Sequence, residues 1–138
     1  MRKRGVSSAL FVSEVAISAC VPPLYHKAPL DYVRQELDQR YVMRYRRDVG
    51  GVLLAYSKVS FPYSKAGGVA SLPLVNGGAG SFVDASVSGV VFGPRKGDQI
   101  VARIVSWSSD HISLLAMDLF NATIRARGME GRCEYREE

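Results

Sequence analysis

The 138-residue chain has little of what most enzymes require. It holds only two histidines and two cysteines. His26 and His111 have no cysteine, carboxylate or second histidine at metal-ligand spacing, and nothing around Cys20 or Cys133 supplies such spacing either. No serine sits in a Gly-x-Ser-x-Gly elbow, and no glycine-rich loop ends in Gly-Lys-Ser or Gly-Lys-Thr. Gly50-Gly51 and Gly67-Gly68 are too short for dinucleotide fingerprints and read as turns. Asp110 beside His111 also reads as a turn rather than a catalytic dyad. These absences predict a chain with no catalytic residues, no cofactor and no metal.

Long apolar runs are missing as well. None approaches the ~18 residues of a membrane-spanning helix, so no membrane partner is expected. The first twenty residues partly imitate a lipoprotein signal, with Arg2-Lys3-Arg4, an apolar stretch over 10–17 and Ile17-Ser18-Ala19-Cys20. Glu14 interrupts that stretch. Phe11, Val15, Ile17, Ala19 and Val21 alternate with polar positions, which is the pattern of a half-buried strand. A secreted lipoprotein whose mature chain starts at Cys20 remains a rival reading. With no disulfide framework, two reduced thiols in an intracellular compartment are expected.

What is present describes a folded chain with a core, since 47% of residues are hydrophobic and 22% charged. The formal charge of +5 is a mild basic bias, compatible with nucleic acid or an acidic protein surface, and part of it sits in Arg2-Lys3-Arg4. The pattern predicts a strand over 10–21, stopped by Pro22-Pro23. A helix from Pro29 should follow, with Asp31 at its N-terminus and Leu30, Val33, Leu37, Tyr41 and Tyr45 on one apolar face. Arg44, Arg46 and Arg47 would crowd its last turn and Gly50-Gly51 would end it. Residues 52–59 read as a buried strand, 62–81 as a long Gly/Ser-rich loop, and 83–92 as another strand. Beyond Gly93-Pro94, residues 99–107, 111–117 and 120–125 read as three more strands, with a polar, frayed tail over 128–138.

The informative stretch is Val90-Val91-Phe92-Gly93-Pro94-Arg95-Lys96-Gly97-Asp98. It resembles the junction of RNA polymerase stalk subunits, where a strand reading roughly "aivFkPfkGe" leaves a tip domain and enters an OB-type barrel. Residues 47–59, and Leu72-Pro73 followed by the glycine-rich 76–80, resemble tip elements of the same family. Asp110-His111-Ile112-Ser113-Leu114-Leu115 and Leu119-Phe120-Asn121-Ala122-Thr123-Ile124 are most similar to its RNA polymerase I branch. The order and spacing of these segments agree with the family over residues 11–127.

The resemblance implies an α+β fold: a strand-helix-strand-strand tip domain over 1–93, then a small, truncated OB-like β unit over 94–138. Only three of an OB barrel's five strands are expected, which leaves open edges. It further implies a stalk subunit of RNA polymerase I in the nucleolus of the nucleus. Its partners would be the large and small subunits of the polymerase core, a smaller stalk partner and an initiation factor, with nascent RNA left open. Arg47, Gly50, Gly51, Leu72 and Pro73 would dock on the core. Lys96, Arg103, Trp107, His111, Arg125 and Arg127 would form a basic, aromatic-bearing face for RNA. The bland alternatives are glycines that only make turns, solvated arginines and a Trp107 packed in the core. Arg40, Arg44 and Arg47 would lie on one helical stripe, either solvated with Glu36 paired to Arg40 or set against an acidic protein surface. The rival functions are the equivalent subunit of another nuclear or archaeal polymerase, and a free single-stranded RNA-binding OB-type module.

Overall fold

Alternating burial along two long strands builds the first sheet. The computed structural model describes residues 3–4, 9–62, 80–129 and 131. They form two antiparallel sheets with few helices, in two units, 1–98 and 99–138.

In the first unit, β1 (Lys3–Arg4), β2 (Leu10–Val21), β3 (Tyr45–Arg46), β4 (Gly51–Ser60) and β5 (Ser81–Phe92) lie in the order β1-β2-β5-β4-β3. β2 and β5 pair without interruption from Leu10↔Phe92 to Val21↔Ser81. This register sets Phe11, Val15 and Ile17 beside Val91, Val87 and Ala85 on one buried face. The lipoprotein-like stretch is therefore an interior strand of the sheet, and Cys20 is a free, exposed thiol on its outer face.

The helix α1 (Pro29–Glu36) has its proline in the first turn, where no backbone donor is lost, and Asp31 beside the positive end of its dipole. Val33 and the following Leu37 are fully buried against the β2–β5–β4 face, with Leu30, Tyr32 and Tyr41 packed beside them. Burial of side chains of this size contributes about 1.5–3 kcal/mol each.

The helix is shorter than the periodicity predicts. After Glu36 it loosens into a π turn over Leu37–Tyr41, closed by the Val42 N–H donating to the Leu37 carbonyl at 2.9 Å. The next residue, Met43, has φ 60, and its N–H donates to the Leu53 carbonyl at 2.7 Å. The edge of β4 thus captures the chain before another helical turn can form, and tertiary pairing overrides local preference. Tyr45 is exposed on β3 rather than buried on a helix face, and Arg44 and Arg47 leave the stripe that would have joined them to Arg40. The Glu36–Arg40 pair is present, at 3.2 Å.

The second unit contains β6 (Ala102–Trp107), β7 (His111–Ala116) and β8 (Phe120–Arg125), a meander in the order β6-β7-β8. Ser108 organises the first turn, its Oγ accepting from the His111 N–H at 3.3 Å. Met117 and Asp118, both at positive φ, make the second. A short helix, α2 (Ala126–Met129), occupies the start of what read as a frayed tail. Residues 99–101 are not strand. The long Gly/Ser-rich loop over 63–79 and the tail beyond 131, with Cys133, lie outside the described residues.

Candidate interaction surfaces

Two surfaces follow from this placement: one on the segment between α1 and β4, the other on the sheet of the second unit. In the first, the Arg46 guanidinium donates through Nε to Asp48 Oδ1 at 2.9 Å and through Nη2 to Oδ2 at 2.6 Å. It also lies 4.7 Å from the centre of the Tyr41 ring. The hydrogen bond from Arg46 holds the Asp48 carboxyl below the usual carboxylate range, and the same bond raises the affinity of Arg46 for its proton. Gly50 closes the segment, its N–H donating to the Arg46 carbonyl at 3.0 Å with φ 69.

The residues expected to dock on a polymerase core separate here. Arg47 is exposed and Gly50 half-buried, so both can be reached. Gly51 is buried, and a Cβ there would meet the Phe92 carbonyl oxygen at 2.5 Å and Val91 Cγ1 at 2.6 Å. Its role in the fold is to let β4 pass close to β5, and it presents no surface. Leu72 and Pro73 lie outside the described residues. Met43 and Tyr45, 49% and 67% exposed, were missed because helical spacing set Tyr45 on the buried face.

In the second unit, cross-strand partners share a face. The pairs Ile104↔Leu114, Trp107↔Ile112, Ile112↔Ile124, Leu114↔Ala122 and Ala116↔Phe120 make one face wholly apolar. Arg103↔Leu115, Ser106↔Ser113, His111↔Arg125 and Ser113↔Thr123 make the other polar and basic. The expected basic-aromatic face is thereby divided, with Arg103, His111 and Arg125 on one side and Trp107 on the other. The cause is the bulge between Ile104 and Ser106. Simple alternation sets Trp107 with Arg103, but the extra residue, Val105, turns it to the side of Ile104.

Trp107 is 65% exposed, not packed in a core, and Ala116 is the one buried hydrophobic residue among the described residues of this unit. Arg103 Nε is 3.1 Å from Asp118 Oδ1, which offsets its charge. Arg127 is exposed on α2. Lys96 belongs to the first unit, exposed in a turn where the Arg95 N–H donates to Asp98 Oδ2 at 2.8 Å. Among the described residues no group of three histidine, cysteine or acidic side chains could hold a metal ion, and no helix is long and apolar enough to cross a membrane.

The second unit is thus a three-stranded antiparallel meander with one apolar and one largely polar face. Residues 94–138 match the model of the RPA43 OB domain in RNA polymerase I. The chain is also similar to DNA-directed RNA polymerase I subunit rpa43 of Schizosaccharomyces pombe, 28% identical over 116 residues. That match covers 84% of this chain and 63% of the relative, so the chain spans less than two thirds of the length of the protein it resembles. The two matches agree with each other, both being to the RPA43 subunit of RNA polymerase I.

Proposed function

We propose that this chain serves as a non-catalytic stalk subunit of RNA polymerase I. The observation that carries the reading is the agreement of the two matches in one family, one of them confined to residues 94–138 and the other spread over most of the chain. Residues 1–93 are the tip that docks on the core enzyme, through the segment containing Arg47 and Gly50 and through Leu72-Pro73. Residues 94–138 are the truncated OB-like part. Its apolar face is the surface that a smaller stalk partner covers, and the initiation factor meets the exposed outer parts of the same stalk. Its opposite face carries Arg103, His111 and Arg125 among small polar side chains, a composition suited to phosphate and sugar contacts with nascent RNA. The work is done in the nucleolus.

Reconstitution tests this reading. RNA polymerase I core stripped of its stalk is mixed with the full chain and passed over a sizing column in moderate salt. Co-elution at one chain per core is expected. Separate elution at every salt concentration tried removes the docking role. Separate elution combined with strong, salt-dependent binding of single-stranded RNA would instead assign a free RNA-binding module.

A further inference from the structure

The segment from Tyr41 to Gly50 is held in one shape by its own side chains and by backbone bonds. Arg46 grips Asp48 with two parallel hydrogen bonds and covers the Tyr41 ring. Backbone bonds from Met43 to Leu53 and from Gly50 to Arg46 fix the two ends, with positive φ at Met43 and Gly50. The charge of Arg46 is matched by Asp48, whereas Arg44 and Arg47 are exposed and have no ion pair among the described residues. Beside them stand two large exposed side chains, Met43 just before Arg44 and Tyr45 just after it.

Met, Tyr and Arg are enriched at the cores of protein interfaces, where a rigid aromatic anchor carries much of the affinity. A segment already fixed by an internal clamp loses little conformational entropy on binding. A protein cleft would take both Met43 and Tyr45 out of water, which contact with a phosphate backbone would not do for Met43.

We propose that residues 41–50 form a preorganised anchor for an acidic-rimmed apolar cleft on a protein partner. Tyr45 and Met43 enter the cleft and Arg44 and Arg47 meet carboxylates on its rim, while Arg46, Asp48 and Tyr41 are positioning residues. The proposal rests on the docking role above and names the chemistry of the surface that receives the tip.

The test measures the affinity of the full chain for stalk-less RNA polymerase I core across a salt series. Tyr45→Ala should weaken binding about tenfold or more. The double variant Arg44→Glu/Arg47→Glu should weaken it at low salt and flatten the salt dependence. Asp48→Ala should weaken binding severalfold in protein that is still fully folded at the assay temperature, with only a small drop in melting temperature, and Asp48→Glu should restore part of the loss. All four positions are solvent-facing, and circular dichroism checks that each variant folds. Wild type that fails to bind the core overturns the docking role itself. Wild type that binds while Tyr45→Ala and the double arginine variant bind equally well overturns the anchor and leaves docking intact. Loss of oligouridylate binding in those variants, with core binding unchanged, would assign the segment to RNA and overturn the protein cleft.

Discussion

Replacing Gly51 with alanine separates support of the fold from contact with a partner. The added Cβ would lie 2.5 Å from the Phe92 carbonyl oxygen and 2.8 Å from its carbon, with Val91 Cγ1 at 2.6 Å. Two of these three atoms are backbone of β5, the strand paired on both sides by β2 and β4, so they cannot rotate out of the way. β4 must move instead, and the pairs Val52↔Phe92 and Leu53↔Val91 lie next to the point of strain. Overpacking of this kind costs about 1–3 kcal/mol. In a domain of this size about 1 kcal/mol shifts the melting temperature by roughly 4–8 °C. Thermal and urea unfolding of Gly51→Ala against wild type, followed by circular dichroism, measure the loss. Core binding, corrected for the folded fraction, should be unchanged, because Gly51 presents no surface. A melting temperature within a degree of wild type, or a binding defect in fully folded protein, would refute the packing argument and return Gly51 to the docking surface.

Two further outcomes follow from single side chains. The folded-state pKa of Asp48 lies below its unfolded value, so the Arg46–Asp48 pair adds stability above about pH 4 and loses it as pH falls through the folded value. Because the carboxylate is half-exposed, the contribution is at most about 1 kcal/mol. Asp48→Asn should therefore be slightly less stable than wild type at pH 7, with the gap closing as pH falls below the ordinary carboxylate range; a gap that widens in acid would contradict the pairing. Trp107 is the single tryptophan and is exposed on the apolar face, so the free chain should emit like a tryptophan in water and be readily quenched by acrylamide. A blue-shifted, protected emission in the dilute chain would mean that the face is already covered.

The long strands were legible because period-two burial survives in single sequence: Phe11, Val15, Ile17, Ala19 and Val21 alternate as the structure buries them. The start of α1 was legible from Pro29 and Asp31, which act locally. Its end was not, because the signal that stops it is non-local. The Met43 N–H finds the Leu53 carbonyl, ten positions on, and nothing in the spacing of Leu37, Tyr41 and Tyr45 announces that bond. The segment between α1 and β4 is half legible for the same reason: Arg47 and Gly50 stand out in the sequence, but helical spacing hides the exposure of Met43 and the Arg46–Asp48 pair. On the second sheet the strands were found, yet one inserted residue, Val105, exchanged the face of Trp107. Alternation cannot reveal a bulge when both neighbours are apolar, since Ile104 and Val105 read equally well inward.

Whether this chain works as part of RNA polymerase I is tested most directly by affinity purification of the tagged chain at native expression in mild salt, with mass spectrometry of what accompanies it. Near-stoichiometric recovery of the large RNA polymerase I subunits is the expected result. Recovery of no polymerase subunit would contradict the claim, and large subunits of a different polymerase would keep the stalk role while overturning the branch.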